Sequence, residues 1–225
     1  MKAMILAAGR GERMRPLTDQ TPKPLLALGG RPIIEWTIAR LARAGIVDLV
    51  INHAHLGHLL EAALGDGGRL GVSIRYSAES EALETAGGIA NALHLLGGDP
   101  FLAVNGDIYC DFDLAPLRTH ALGQALAHLI LVANPEHHQD GDFALAGAQV
   151  QSEGAPRWTF SGIGLYRPEL FAPVVPGEKA RLAPLLRAAM ARGLVTGGIG
   201  RGEWHDIGTP ERLDRLDRRL AAQRA

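Results

Sequence analysis

The chain contains a single cysteine, Cys110, and no long apolar run. One cysteine excludes an internal disulfide, which fits the reducing conditions of the cytoplasm. The apolar run near the N-terminus lasts six residues and ends at Gly9 and Arg10, so it is too short for the apolar region of a signal peptide. No segment reaches the roughly 20 apolar residues of a membrane span. We therefore expect a cytoplasmic protein without a membrane partner.

The chain also lacks an excess of charge of one sign. Its 23 basic and 24 acidic side chains nearly cancel, so no long-range field attracts it to nucleic acid or anionic lipid. Apolar residues make up 47% of its 225 residues, which is ordinary for a globular protein and enough for one substantial core. These values favour small molecules, and not nucleic acid, as its partners.

Short apolar runs alternate with amphipathic segments along the chain. The predicted strands are residues 3–8, 49–51, 72–76, 101–104, 126–133, 158–166 and 195–199, and the predicted helices are residues 32–45, 56–64, 88–96, 182–192 and 210–220. This alternation predicts an α/β fold, a single Rossmann-like domain over residues 1–225 with a mostly parallel mixed sheet flanked by helices. Residues 135–156 are polar and glycine-rich and are predicted as an insertion or flap. Thr209 is the expected N-cap of the last helix, which begins at Pro210.

A glycine-rich, basic loop follows the first predicted strand. Gly9 and Gly11 allow backbone amides to approach phosphate oxygens closely. The loop has neither the lysine spacing of a Walker A motif nor the third glycine of a dinucleotide fingerprint, because position 14 is Met14. Four cations lie within 14 residues, namely Arg10, Arg13, Arg15 and Lys23. Their concentration indicates an anionic ligand, and a solvated basic loop is the alternative.

Two aspartates are candidate metal ligands. Asp107 follows the predicted strand of residues 101–104, at the carboxyl edge where open α/β sheets bind ligands, and Asp206 precedes the last helix. Carboxylates are the hard oxygen ligands that suit Mg²⁺, which keeps several waters and bridges substrate phosphates. Taken singly, each is better explained as a turn or capping residue, although Thr209 is better placed than Asp206 to cap the helix.

Five ordered segments together resemble the nucleotide-diphospho-sugar pyrophosphorylases, the sugar-1-phosphate nucleotidylyltransferases. The first reads Gly-Arg-Gly-Glu-Arg-Met-Arg-Pro-Leu-Thr over residues 9–18, with Pro-Lys-Pro at 22–24; the others are residues 84–88, 105–107, 160–164 and 206–210. The resemblance spans nearly the whole chain. It implies transfer of a nucleotidyl group from a nucleoside triphosphate to a sugar 1-phosphate, with release of pyrophosphate and with Mg²⁺ as cofactor.

The resemblance also implies roles for the residues at matching positions. Arg13 would bind the phosphates and the departing pyrophosphate, and Lys23 would neutralise the sugar phosphate and the α-phosphate that it attacks. Asp107 and Asp206 would hold Mg²⁺. The implied nucleotide-binding residues are Ala8, Gly9, Gly11, Glu12, Glu79 and Gly88. A phosphate oxygen is already a good nucleophile, so positioning and charge neutralisation suffice without a general base.

The sugar side departs from the family pattern. Many larger relatives carry a Glu-Lys-Pro motif before the central strand, whereas residues 151–157 here read Gln-Ser-Glu-Gly-Ala-Pro-Arg, without a lysine. Glu153 is the candidate replacement for the glutamate of that motif. The other candidate sugar contacts are Asn105, Asp140 and Gly141, the last two within the predicted flap.

Among compact members, the resemblance is strongest to uridylyltransferases that act on N-acetylmuramate α-1-phosphate in bacterial cell-wall recycling. It implies UTP and that sugar phosphate as substrates and UDP-N-acetylmuramate and pyrophosphate as products. The lactyl carboxylate of the sugar needs a cation, for which Arg157, Lys179 and Arg181 are candidates. The alternatives are guanylyl transfer to mannose 1-phosphate, thymidylyl transfer to glucose 1-phosphate and cytidylyl transfer to a non-sugar phosphate.

A non-catalytic nucleotide-sugar sensor on the same fold is the alternative of another class, because a fold alone does not establish function. Such a sensor has no need of Arg13, Lys23 and both aspartates together, and all four are present. Catalysis is therefore the favoured interpretation. We expect a monomer, since the sequence contains no evident coiled coil or extra domain.

Overall fold

The computed structural model of the protein describes residues 1–222. The strands are β1 (Lys2–Leu6), β2 (Ala27–Leu28), β3 (Arg31–Pro32), β4 (Asp48–His53), β5 (Ser73–Ala78), β6 (Phe101–Asn105), β7 (Ile108–Cys110), β8 (Ala127–Val132), β9 (Phe143–Ala146), β10 (Gln149–Gln151), β11 (Arg157–Tyr166), β12 (Val195–Ile199) and β13 (Trp204–Asp206). The helices are α1 (Ile33–Arg43), α2 (Gly57–Leu64), α3 (Glu84–Leu96), α4 (Ala115–Arg118), α5 (Leu182–Met190) and α6 (Pro210–Ala222). Over these residues, no helix is both long and apolar enough to cross a membrane.

In the described part of the chain, nine strands form one mixed sheet in the order β5-β4-β1-β6-β11-β8-β12-β10-β9. The strands β5, β4, β1 and β6 run parallel to one another. Beyond β6 the strand directions are mixed, because β11 is antiparallel to both β6 and β8, whereas β12 is parallel to β8. The predicted α/β class and the mixed sheet flanked by helices are thus confirmed, with the parallel half from β5 to β6.

Both faces of the sheet are buried beneath helices. In β1, Ile5 lies in one core with Ile38 of α1 and Leu60 of α2. Met4 of the same strand lies in the other core with Ile89 of α3. Successive side chains of a strand point to opposite faces, so a strand covered on both sides has a continuous apolar sequence. The first strand was predictable for this reason.

The register of three parallel strands determines where a ligand can bind. Leu6, the last residue of β1, pairs with Asn52 of β4 on one side and with Asn105 of β6 on the other. The Ala7 N–H donates to Asn52 Oδ1 over 2.9 Å, and the Gly106 N–H donates to the Leu6 carbonyl over 2.8 Å. The carboxyl ends of β4, β1 and β6 therefore meet at one edge, the expected ligand edge of an open α/β sheet.

The last helix joins the C-terminal part of the chain to the glycine-rich loop. The Arg212 N–H donates to Thr209 Oγ1 over 3.4 Å, so Thr209 is the N-cap that the sequence predicted. On the inner face of α6, Leu216 packs in a buried cluster that includes Met14 of the loop and Ile207. Helix α6 therefore supports the loop from behind.

Residues 135–156, predicted as an insertion or flap, include two strands of the main sheet. Here β9 and β10 form an antiparallel hairpin, in which β10 pairs with β12 and β9 also pairs with β11. The short strand β13 pairs with β7 in a separate antiparallel ribbon that the sequence pattern did not indicate. A flap over residues 135–156 and a single domain over residues 1–225 both remain predictions.

Helix α3 begins at Glu84, four residues before the predicted start at Gly88. Glycine has a low helix propensity, which masked the first turn in the sequence. A Cβ on Gly88 would lie 2.7 Å from Asn52 Nδ2, so the glycine is there for close packing. Glu84 itself has φ of +62°, a left-handed conformation that costs an L-residue roughly 1–2 kcal/mol.

We expect Glu84→Gly to be more stable than Glu84→Ala by about 1 kcal/mol, because glycine alone adopts a positive φ without steric cost. Urea denaturation of the two variants followed by circular dichroism measures the difference in free energy of unfolding. The two variants lack the same carboxylate, so loss of its charge cancels. Equal stability, or a more stable alanine variant, would contradict strain at this position.

Candidate active site

A cleft of about 640 Å³ opens at the carboxyl edge of β4, β1 and β6. Eight residues that the sequence nominated line it, namely Ala8, Gly9, Gly11, Glu12, Arg13, Lys23, Asn105 and Asp107. One end of the cleft, on the side of β4 and β5, is lined by Asn52, Ala82, Glu84 and Thr85. The other end is lined by Asn105, Gly106, Asp107 and Gly208. The loop after β1 separates the two ends.

The two glycines of the loop differ in what the backbone and the neighbouring side chains require of them. Gly11 has φ of +64°, and its carbonyl accepts a hydrogen bond from Thr18 Oγ1 over 2.8 Å. A Cβ on Gly11 would lie 2.9 Å from Thr18 Cγ2, whereas a Cβ on Gly9 would meet nothing within 4 Å. The turn therefore requires Gly11, while Gly9 leaves open space beside the backbone in the cleft wall.

The centre of the cleft holds an ion pair between two nominated residues. Lys23 is buried, and its Nζ donates to Asp107 Oδ2 over 2.6 Å. The Asp107 side chain remains 40% exposed. A lysine is rarely buried without a partner, so Asp107 stabilises the buried Lys23. The arrangement places one cation and one carboxylate together beneath the glycine-rich loop, with exposed Arg13 at its wall.

The backbone of Asp206, the second nominated metal ligand, lies beside that of Asp107. Its side chain, however, lines a different cavity. In the ribbon of β13 and β7, Asp206 pairs with Ile108, and the Ile207 N–H donates to the Asp107 carbonyl over 2.9 Å. The Asp206 carboxylate accepts a hydrogen bond from Arg212 and lies 3.0 Å from His137 Nε2. Its side chain is 30% exposed. The fold brings the backbones of the two aspartates together, but their side chains form different ion pairs. Asp107 pairs with Lys23, and Asp206 pairs with Arg212.

This pair of carboxylates suits a magnesium ion better than a metal bound by protein ligands alone. Mg²⁺ is usually bound through one or two carboxylates together with substrate phosphates and waters. Asp107 and Asp206 are adjacent in the backbone, partly exposed and hard oxygen donors. Within residues 1–222, no group of three or more histidine, cysteine or acidic side chains is gathered at a metal-binding distance.

Glu79 and Gly88 do not line the cleft but lie behind its wall, where Gly88 packs against Glu79 and Glu79 belongs to a buried hydrogen-bond network. Asn52 Nδ2 donates to Glu79 Oε1 over 2.7 Å, and the Leu83 N–H donates to Glu79 Oε2 over 2.9 Å. Burial raises the pKa of the Glu79 carboxyl, and these two hydrogen bonds oppose the rise. Asn52 also holds Ala7, so this network fixes the end of β1 against the start of α3.

Asn52 is a polar cleft residue that sequence reasoning missed. It follows the apolar residues 49–51 near the carboxyl end of β4, much as the nominated Asn105 follows the apolar residues of β6. Asn105 packs over Gly162, where a Cβ would lie 2.5 Å from Asn105 Nδ2. The bulge of β11 between Phe160 and Ile163 and the φ of +79° at Gly162 make this space.

Three nominated sugar contacts do not line the cleft. Asp140 and Glu153 are exposed, and Gly141 lies against Asn134 in the loop after β8. Asn134 Nδ2 donates to the carbonyls of Gln139 and Arg157 over 2.8 and 3.1 Å. Asn134 thereby attaches this loop to β11, which positions it beside the far end of the cleft without bringing these three residues into it.

We predict that Gly11→Ala lowers the free energy of unfolding by about 2 kcal/mol, from the positive φ and the contact with Thr18 together. Gly9→Ala is the matched control and is expected to leave it almost unchanged, because the added methyl group meets open space. Guanidinium denaturation of both variants tests this. A similar loss in both, or none in Gly11→Ala, would be inconsistent with the described turn.

Three comparisons with known proteins agree with this geometry. The sequence model of the nucleotidyl transferase family matches residues 2–153. The N-acetylmuramate alpha-1-phosphate uridylyltransferase of Neisseria meningitidis serogroup B is 54% identical over 95% of this chain and 95% of its own. The mannose-1-phosphate guanylyltransferase of Mycobacterium tuberculosis is 30% identical over 93% of this chain and 61% of its own.

A solved structure has the same fold. It is described as a glucose-1-phosphate thymidylyltransferase from Bacillus anthracis in complex with a sucrose, and it matches with a TM-score of 0.86 at 25% identity, over 98% of this chain and 95% of that chain. The glycine-rich loop, the sheet and the full-length similarity thus indicate the same family. The chain belongs to the nucleotidyl transferase family, among its sugar-1-phosphate nucleotidyltransferases.

Proposed function

We propose that the protein transfers the uridylyl group of UTP to N-acetylmuramate α-1-phosphate, forming UDP-N-acetylmuramate and pyrophosphate. The main structural support for this reaction is the Lys23–Asp107 ion pair, with 2.6 Å between Nζ and Oδ2, beneath the glycine-rich loop. Gly9 of that loop leaves space beside the backbone for a phosphate group. The two substrates are those in the name of the Neisseria relative, which is 54% identical over nearly the full length of both chains.

The geometry supports transfer by positioning and charge neutralisation. The backbone of Gly9 and Gly11 and the side chain of Arg13 bind the triphosphate at the loop after β1. Lys23 draws the negatively charged sugar phosphate towards the α-phosphorus. A sugar-phosphate oxygen forms the new bond to that phosphorus as the bond to the β-phosphate oxygen breaks, and pyrophosphate leaves with its electron pair. The attacking oxygen is already ionised, so no residue has to remove a proton.

We propose Mg²⁺ as the cofactor, held by Asp107 and Asp206 together with substrate phosphates. When bound, the ion supplies positive charge to the reacting phosphates. The protein's own contribution is the ribbon of β7 and β13, which keeps the two aspartates adjacent. Lys23 and Arg212 neutralise these carboxylates in the structure, so metal binding has to compete with two ion pairs.

Guanylyl transfer to mannose 1-phosphate is the second candidate. It is favoured by the Mycobacterium tuberculosis enzyme, although that similarity is 30% and covers 61% of its length. The carboxylate of Glu84 at the β4 end of the cleft accepts hydrogen bonds and is compatible with the ring N–H of uracil or of guanine. Glu84 therefore does not discriminate between these two bases.

The proposed reaction belongs to the cytoplasm and to the recycling of cell-wall sugars, where N-acetylmuramate is released. We propose that the enzyme acts there as a monomer, because one chain holds the whole cleft from Asn52 to Gly208. Size-exclusion chromatography with light scattering measures the oligomeric state directly. A stable dimer would contradict this part of the proposal.

The substrate pair is tested by pyrophosphate release with Mg²⁺ for UTP, dTTP, GTP and CTP against a panel of sugar 1-phosphates. We expect the highest kcat/KM for UTP with N-acetylmuramate α-1-phosphate. Equal turnover of glucose 1-phosphate or mannose 1-phosphate would contradict the sugar assignment. No release from any pair by a folded protein would support the sensor alternative.

Replacement of Lys23 by glutamine is expected to lower kcat by about 100-fold or more, since it removes charge stabilisation at the reacting phosphate. The control is Lys2→Gln, because Lys2 lies at the opposite end of β1, where its Nζ donates to the Leu95 carbonyl. Stopped-flow pyrophosphate detection measures both variants, and circular dichroism verifies that they fold. Wild-type kcat in the Lys23 variant would exclude the proposed catalytic role.

A further inference from the structure

The proposed sugar substrate carries a lactyl carboxylate, and the three cations that the sequence nominated for it are engaged elsewhere. Arg157, the first residue of β11, donates to the carbonyls of Ser152 and Asp142 over 3.1 and 2.6 Å. It thereby attaches the two ends of the β9–β10 hairpin to β11. Lys179 pairs with Glu81 over 2.6 Å. Arg181 is 80% exposed, and its Nε lies 4.0 Å from Glu84 Oε1 at the β4 end of the cleft. None of the three lines the cleft, so the carboxylate needs a different partner.

A second cavity of about 60 Å³ lies next to the cleft, and it has room for a small polar group. It is lined by Pro135, Glu136, His137, Trp204, His205, Asp206, Arg212 and Arg215. The two spaces are neighbours, because Asp206 lines this cavity and Gly208, two residues further along the chain, lines the cleft. We call it the α6 cavity.

The α6 cavity is on the sugar side of the molecule. Residues 135–137 follow β8, which lies beyond β6 in the sheet order and away from β4. The residues that the family resemblance assigns to the nucleobase, Glu79 and Gly88, are on the β4 and β5 side. A nucleotide whose phosphates lie at the loop after β1 would therefore place the sugar towards β6, β8 and the α6 cavity.

Within the lining of the α6 cavity, the Asp206 carboxylate is hydrogen-bonded to Arg212, so the donors of this cavity are suited to a carboxylate. Arg212 Nη1 donates to Asp206 Oδ2 and lies 2.9 Å from His137 Nε2. A guanidinium has five N–H donors in a planar fork, so Arg212 retains donors for a second carboxylate. Arg215 lies one turn further along the same helix face. Among residues 1–222 it has no ion-pair partner within 4.0 Å.

We propose that Arg212, Arg215 and His137 form the subsite for the lactyl carboxylate of the sugar substrate. The inference rests on the proposed function and adds the determinant of sugar choice. Arginine binds carboxylates through paired, charge-assisted hydrogen bonds. Glu136 also lines the cavity and is exposed, so it repels a carboxylate that approaches from its side and restricts the anion to the arginine side.

The test compares N-acetylmuramate α-1-phosphate with N-acetylglucosamine α-1-phosphate, which has the same ring without the lactyl group. We expect Arg215→Gln to reduce the ratio of the two kcat/KM values by about tenfold, through a higher KM for the muramate sugar. Arg218→Gln is the matched control. It removes the same charge from the same helix, and both side chains are exposed, but Arg218 does not line the α6 cavity and pairs with Asp214, so the ratio should stay at the wild-type value.

A second readout does not depend on turnover. Calorimetric titration of the protein with each sugar phosphate, without metal or nucleotide, should show about tenfold weaker binding of the muramate sugar to Arg215→Gln and unchanged binding of the glucosamine sugar. A muramate preference that survives in Arg215→Gln would overturn the subsite alone. Equal losses for both sugars would also overturn it, since they indicate a structural effect. A wild-type enzyme that used neither sugar would instead overturn the proposed function.

Discussion

The site depends on one constraint, the common end of three parallel strands at Leu6. Because Leu6 pairs with Asn52 and with Asn105, the loop after β1 emerges between two polar residues at the edge of the sheet. Asn52 then anchors Ala7 on one side, and Gly106 bonds to the Leu6 carbonyl on the other. A shift of one residue in this register would turn the side chains of β1 to the opposite faces. The two cores and the cleft therefore rely on the same pairing.

Segments distant in the sequence complete the cleft around this edge. The ribbon of β7 and β13 brings Asp206 beside Asp107, and helix α6 packs Leu216 into the cluster that contains Met14 of the loop. The same helix carries Arg212, which links Asp206 to His137 of the loop after β8. The glycine-rich loop, Asp206 and the loop after β8 are thereby coupled through one helix.

The parts of the site that the sequence predicted are those encoded by local chemistry. Gly11 was nominated because glycine lets backbone amides approach a phosphate closely, and its positive φ is a conformation that glycine adopts without steric cost. The Thr209 cap likewise follows from a local hydrogen bond. Asn52 was missed because its value depends on which strand lies beside β4, and the start of α3 was missed because Gly88 weakens the helix signal although tertiary contacts require it.

By itself, the sequence determined the α/β class, the glycine-rich loop after the first strand and the family, since buried parallel strands and tight glycine turns leave local patterns. The tertiary structure decided which charged groups meet. Lys23 pairs with Asp107 while Asp206 pairs with Arg212, and Arg157 is used within the hairpin. Ion pairs form between residues far apart in the chain, so strand order and helix packing, which no local pattern encodes, select their partners.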